Sequence, residues 1–261
     1  MVVASKPVKT AANPKRTVLL KVFGKVSGIF RRHMGELSRT RGSASAASAE
    51  LAKATANIES VLREHLAATG LPVITTGQPA PTGAHWLVEP LTGQRNALYA
   101  REPVSTLVAY IEKDGTCPLG AIMMPMEDVC MLVETGLGAS AEGFGRLRCA
   151  SRLELEDTLA LVPWKTTDVV EMDLLKTLDK QGIHTRKTGN TMADVMDVAS
   201  GKADIAIATR VTKIEALLAN LILAESAGFA SDVKGKPLGP DSTTLVAANP
   251  KLHGKVVKLL G

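Results

Sequence analysis

The order in which the hydrophobic periodicity changes along this chain narrows its possible folds more than any single residue does. From Thr17 to Leu37, apolar residues fall at Leu19, Leu20, Phe23, Val26, Ile29 and Phe30, close to helical spacing. A second helix is predicted from Ala46 to Ala68 through Ile58, Val61, Leu62 and Leu66, with Gly70 closing it. The period then shortens. Strand-like runs occupy Pro72–Thr75, His85–Glu89, Ser105–Lys113, Gly120–Met124 and Val129–Glu134, and Asp114-Gly115 marks a hairpin. Residues 135–146 are glycine-rich and read as a turn before a short strand near Arg148. From there helices (168–180, 191–200, 212–227, 249–260) alternate with strands (184–186, 204–208, near Phe229, 243–247). Helices first, meandering strands next and alternation last predict layered α+β or α/β sheets.

Charge is unevenly placed. The net charge is +5, and residues 1–33 hold Lys6, Lys9, Lys15, Arg16, Lys21, Lys25, Arg31 and Arg32 with no acid before Glu36. Residues 1–14 are expected to be a disordered basic tail. Residues 15–261 are expected to be one domain, with an α+β half to about 150 and an α/β half over 151–261. The basic start is compatible with a solvated helix face, with an organelle transit peptide, or with contact to RNA, an acidic protein or an anionic membrane. No aromatic stacking pattern accompanies it. With two Trp, two Tyr and four Phe, the core must be filled by aliphatic residues and Met, including Met123, Met124 and Met126. Cys117, Cys130 and Cys149 form no Cys-x-x-Cys pair, so a reducing, cytoplasmic setting is expected. No apolar run reaches the ~18 residues of a membrane span, and the first 15 residues lack the apolar core of a signal peptide. The five histidines show no metal spacing, and no Gly-x-Ser-x-Gly or phosphate-loop motif occurs.

Four collinear segments carry a resemblance. Residues 86–96 read Trp-Leu-Val-Glu-Pro-Leu-Thr-Gly-Gln-Arg-Asn, an apolar strand running into a Pro-x-x-Gly turn. Gly120–Asp128 reads as a hairpin containing Pro125. Gly189–Asp204 and Lys213–Asp232 follow, and the chain ends on Ala247-Ala-Asn-Pro-Lys-Leu-His253. Together these resemble the inositol monophosphatase family, bacterial members in particular, over about residues 17–261. The resemblance implies an alternating αβαβα sandwich, magnesium-dependent hydrolysis of small phosphate monoesters and a homodimer. Some bacterial members of that family also serve in transcription antitermination through protein contacts.

The same resemblance identifies what has changed. Carboxylates from three segments hold magnesium in the family, where the ions activate water and stabilise phosphoryl charge. Here the family's Gly-Glu-Glu segment falls on Gly77-Gln78-Pro79, the first Asp of the central motif on Glu89 and the second on Thr92. The water-positioning Thr falls on Gln94, its neighbour on Arg95, and the Asp of Pro-Trp-Asp on Glu215. The Asp that supports the water-positioning Thr falls among Ser43, Ala44 and Ser45. Four ligand carboxylates are thus reduced to two. Each of these is a glutamate longer by about 1.5 Å, where working sites tolerate errors near ~0.5 Å. Catalytic metal binding at Gln78, Glu89, Thr92 and Glu215 is expected to be lost. Arg95 is expected either to point to solvent or to fold against Glu89 and Glu215 in place of the metals. Gly93-Gln94-Arg95-Asn96 and Gly189-Asn190-Thr191 are expected to open helices whose amides favour anions. The resulting expectation is a catalytically inactive binding or scaffold protein, with a protein partner or RNA and a transcription complex as candidates. The alternatives are a weak magnesium-dependent phosphatase and a metal-independent phosphate sensor.

Overall fold

The computed structural model describes residues 13–40, 42–141, 145–162 and 169–260. The expected tail over residues 1–12 lies outside them. Two long helices come first, α1 (Pro14–Arg39) and α2 (Ala44–Ala67). Residues 13 and 14, assigned to the tail from sequence, in fact start α1. The Asn13 side chain accepts from Lys15 N and donates to Glu134, and Pro14 suits the first turn, where an N–H would be unpaired anyway. α2 also begins inside the stretch read as a loop, because Ser43 Oγ accepts from Ala46 N and caps it.

The middle of the chain supplies β1 (Val73–Thr75), β2 (His85–Thr92), the short α3 (Gln94–Leu98), β3 (Ser105–Ile111), β4 (Leu119–Met124), β5 (Val129–Glu134), β6 (Gly138–Ala141) and β7 (Gly145–Arg146). They form a seven-stranded sheet in chain order. β1 and β2 are parallel and the remaining neighbours are antiparallel. The glycine-rich turn therefore carries a strand of its own, and the strand expected near Arg148 is β7. The Glu225 carboxylate fixes the β5–β6 turn by accepting from Gly136 N at 2.7 Å and Gly138 N at 2.8 Å.

The last part supplies β8 (Leu159–Leu161), α4 (Val169–Asp179), β9 (His184–Arg186), α5 (Thr191–Ala199), β10 (Ile205–Ala208), α6 (Lys213–Glu225), β11 (Phe229–Ser231), β12 (Leu245–Ala248) and α7 (Pro250–Leu260). The second sheet runs β11-β12-β10-β8-β9, with β12 antiparallel to both of its neighbours.

Side-chain alternation sorts these elements into layers. Trp86 and Val88 of β2 and Val108 of β3 pack with α1 and α2 residues such as Phe30, Ile58 and Leu62. Leu87, Leu107 and Ala109, one residue out of phase, pack with Met192 and Val195 of α5 and Leu218 and Ile222 of α6. The far face of the second sheet, through Ile205, Ile207 and Val246, packs with Leu178 of α4 and Leu252 and Val256 of α7. The result is the αβαβα sandwich. Each buried Leu, Ile or Val contributes about 1.5–3 kcal/mol. α6 lies so close to β4 that a Cβ on Gly120 would collide with Leu218.

Candidate functional site

β2 ends where its pairing with β3 shifts register between Glu89 and Thr92. Pro90, which has no N–H to pair, sits in that irregular stretch. Gly93 then turns the chain into α3 at φ 75°, and a Cβ there would sit 2.6 Å from Pro103 O and 2.9 Å from Asn190 Nδ2. Only glycine fits this turn. It brings the end of β2 against the start of α5.

Glu89 and Glu215 are the acids at this junction. Burial raises the pKa of Glu89, its bond from Thr76 lowers it, and the charge of Glu59 raises it further. Glu215 is buried at the third position of α6, where it completes a capping box with Thr212. Its Oε2 accepts from Thr212 N at 2.8 Å and from Thr212 Oγ1 at 3.2 Å. Burial is again the main cause of a raised pKa, the Thr212 bonds oppose it, and the charge of Glu89 adds to it. The two glutamates are therefore near enough to repel.

The neutral positions are already engaged. Thr92 Oγ1 lies 2.6 Å from Ser105 Oγ and accepts from Asn190 Nδ2 at 3.2 Å. Asn190 Nδ2 also donates to Ser105 Oγ, while Asn190 Oδ1 accepts from the amides of Met192 and Ala193 and caps α5. Gly189, at φ 84°, packs against the Asn96 amide, which donates to Pro103 O and Thr188 O. Gln78 turns to α2: its Oε1 accepts from Thr75 N at 3.0 Å and from Arg63 Nη2 at 3.2 Å. Arg63 also bonds Glu59, Thr75 and Val73 O.

Thr92, Gly93, Asn96, Gly189 and Asn190 are thus brought together, and Glu89 with Glu215. Thr191 is the first residue of α5, and Gln94 is exposed. Arg95 is exposed too, and among the described residues it pairs with neither glutamate, so the solvent-facing expectation holds over the metal-replacing one. The half-exposed Arg63 instead bonds Glu59, the acid whose charge acts on Glu89. Sequence reasoning missed it, although Glu59 and Arg63 stand four apart on a helix, the spacing of a stabilising pair.

A cleft of about 1160 Å³ adjoins this region. Arg95 and Asn96 line it, whereas Gln78, Glu89, Thr92 and Glu215 do not. Ser43 and Ala44 lie on its wall, beside the start of α2. Its cations are Arg95, Arg101, Arg186, Lys187 and Lys202, against the acids Glu102, Glu127 and Asp197. Burial pushes Glu127 up to about 7, with bonding to its own backbone opposing and the charges of Glu102 and Asp197 adding.

The sequence profile of the inositol monophosphatase family matches residues 16–261. The chain belongs to the inositol monophosphatase family. It is 24% identical over 177 residues to the fructose-1,6-bisphosphatase/inositol-1-monophosphatase of Thermotoga maritima, covering 67% of each chain. It is 25% identical over 176 residues to the Nus factor SuhB of Pasteurella multocida, covering 66% of this chain and 65% of that one. The fold matches the crystal structure of the extragenic suppressor protein suhB from Bartonella henselae with TM-score 0.80 and 20% identity, covering 95% of this chain and 99% of that one. Among the described residues, no helix is long and apolar enough to cross a membrane.

Proposed function

We propose that this inositol monophosphatase-like chain is catalytically inactive and acts as a binding or scaffold protein. The observation that carries this reading is that oxygens at the family's ligand positions are already bonded to the chain's own donors: Gln78 to Arg63 and Thr75, Thr92 within the Ser105–Asn190 network, Glu215 to Thr212. Magnesium demands near-octahedral oxygen ligands at about 2.0–2.1 Å. Gln78 and Thr92 bring no charge, and burial favours the neutral form of both glutamates. The residues present do not fit a magnesium centre. Relatives named Nus factor support a role in a transcription complex, through a protein partner or RNA. We place the protein in the cytoplasm, in keeping with its free cysteines, and on the family resemblance propose a homodimer of one domain per chain.

The test is a magnesium titration by calorimetry, beside a hydrolysis assay on inositol phosphates and nucleotide bisphosphates. The expected outcome is no magnesium binding at millimolar concentration and no turnover above background. Magnesium-dependent turnover that Glu89→Ala abolishes would overturn the proposal. It would favour the second reading, an altered phosphatase using Glu89, Glu215 and Gln78. One observation supports that reading: a divalent cation would relieve the repulsion between the two glutamates. A metal-independent phosphate sensor draws less from the helix starts, because α3 has five residues and Asn190 already satisfies two amides of α5.

A further inference from the structure

The outer face of α1 lies away from the glutamate pair. The helix packs one side on α2 and the first sheet, through Val22, Val26, Phe30 and Leu37, and turns the other to solvent. At about 100° per residue, its exposed residues fall in rows along the axis. Thr17, Gly24, Gly28 and Gly35 form the middle row, within about 40° of one another. Lys21, Lys25 and Arg32 stand on one side of that row, and Leu20 and Arg31 on the other. The first acid of the helix is Glu36, which pairs with Arg39. Among the described residues Lys21, Lys25 and Arg32 form no ion pair, and Arg31 reaches Asp128 only at 3.8 Å, with both side chains more than half exposed. Lys15 and Arg16 are engaged within the chain, over the Tyr110 ring and on Ser140. The glycines answer no demand of the fold. A Cβ on Gly24, Gly28 or Gly35 would meet nothing within 4 Å, although glycine is among the poorest helix formers. They hold the middle row down at backbone height between the cations.

The charge selects an anionic partner, and its class follows from what the face lacks. Leu20, 40% exposed, is the large apolar side chain that the face shows to solvent. A membrane surface needs an apolar helix face to bury, and a protein partner needs an apolar centre to its interface. A nucleic acid needs neither, because release of counterions from its phosphates drives binding. A single strand calls for aromatic rings to stack on, and both rings of α1, Phe23 and Phe30, are buried. α1 lies in a layer with α2, so it does not project as a helix must to enter the major groove of DNA. The wide, shallow minor groove of an RNA duplex is open to such a flat face. We infer that the outer face of α1 binds the phosphate backbone of double-stranded RNA without reading its sequence. Phosphates sit over Gly24 and Gly28, between Lys21, Lys25 and Arg32 on one side and Arg31 on the other. Lys21 and Lys25 stand about 6 Å apart along the axis and Arg32 about 10 Å further, so they track a run of phosphates rather than a single one. The inference deepens the binding role proposed above, on which it rests, by naming a surface and a partner.

Fluorescence anisotropy on the full chain tests it, with labelled RNA duplexes of about 20 base pairs in two unrelated sequences, a matching single strand and a matching DNA duplex. Chelator is present throughout, so RNA binding is read apart from any magnesium-dependent turnover. Both RNA duplexes are expected to bind in the micromolar range at about 50 mM salt, within about threefold of each other and more tightly than the single strand or the DNA. Lys21→Gln combined with Lys25→Gln is expected to weaken binding about tenfold and to reduce the slope of log affinity against log salt by about 2. Lys251→Gln combined with Lys258→Gln makes the same charge change on α7, in the opposite outer layer, and is expected to leave affinity within about twofold of the wild type. Gly24→Leu combined with Gly28→Leu fills the middle row. It is expected to keep or raise the thermal midpoint, because leucine is the better helix former and the space is open, yet to weaken RNA binding about tenfold. Absence of duplex binding at about 50 mM salt would overturn the inference. So would equal losses in the α1 and α7 lysine variants, wild-type affinity in the double leucine variant, or a single strand or DNA duplex bound as tightly as the RNA duplex. Binding of poly-glutamate or phosphatidylserine vesicles instead of RNA, lost in the α1 lysine variant, would assign the face to an acidic protein or a membrane and also overturn it.

Discussion

Arg63 joins four acceptors from two separate stretches of chain. Its Nη1 donates to Val73 O at 2.6 Å, and its Nη2 donates to Glu59 Oε1 at 2.7 Å, Thr75 Oγ1 at 2.8 Å and Gln78 Oε1 at 3.2 Å. The sequence shows the helical pair Glu59–Arg63 but not that β1 runs alongside it, because that contact comes from tertiary packing. Gln78 was therefore read as a poor metal ligand facing the site, whereas its oxygen is turned to α2. Arg39 makes a useful contrast, since its pair with Glu36 lies in solvent, with the side chains 75% and 49% exposed. Arg63→Ala is expected to cost about 1–2 kcal/mol, through the bonds lost to Val73 O, Glu59, Thr75 and Gln78, although Glu59 and Gln78 each keep a bond from Thr75. Arg39→Ala is expected to change stability by no more than about 0.5 kcal/mol. Urea unfolding of the two variants measures the difference, and equal effects would deny Arg63 its role as a clamp.

At the scale of elements, the sequence was read most accurately where alternation was clean and turn signals were close. β5 and β9 fall on the residues expected, Val129–Glu134 and His184–Arg186. β8 was missed because three residues are too few to show a period, and its identity as a strand rests on the parallel neighbours β9 and β10. The start of α5 was anticipated at Gly189-Asn190-Thr191, but the second role of Asn190 was not. Its Oδ1 caps the helix while its Nδ2 holds Thr92 at the end of β2 and Ser105 at the start of β3. Two substitutions separate these roles. Asn190→Asp keeps the acceptor that caps and loses the donor, whereas Asn190→Ala loses both. The cap alone contributes about 1 kcal/mol, so Asn190→Ala is expected to be less stable than Asn190→Asp by about that amount, with Asp itself below the wild type. Chemical denaturation of the three proteins orders them. An Asp variant as stable as the wild type would show that the Thr92–Ser105 network contributes nothing.

Over the whole molecule, burial of acids dominates the response to pH. Nothing in the sequence distinguishes Asp194 or Glu127 from surface acids, because their burial depends on how α5 and the β4–β5 turn meet other elements. Burial pushes Asp194 from 3.8 up to about 7, with the Thr188 hydroxyl bond opposing, and Glu127 also reaches about 7. Asp197, Glu89 and Glu215 shift upward as well, mainly by burial. A folded pKa above the unfolded one means that the native state holds more protons between the two values. Stability is then fully present below the unfolded pKa and falls as pH rises through the folded one. Glu50, Glu59 and Asp114 shift downward, chiefly through hydrogen bonds from His33, Thr75 and Thr116, and their stabilisation is lost at more acid pH. His253, lowered by burial, opposes the trend near neutrality, since its contribution is lost as pH falls below its unfolded value. One histidine stands against several acids, so unfolding free energy is expected to peak on the acid side of neutrality and decline towards pH 7. Asp194→Asn isolates one acid, because an amide at 194 still accepts from Thr188 but does not titrate. Removing it is expected to flatten the decline by up to about 1.4 kcal/mol per pH unit. The variant then gains on the wild type as pH rises from about 4 to 7, the window between the unfolded and folded pKa values. Parallel stability curves for the two proteins across that window would mean that Asp194 ionises as freely in the folded chain as in the unfolded one.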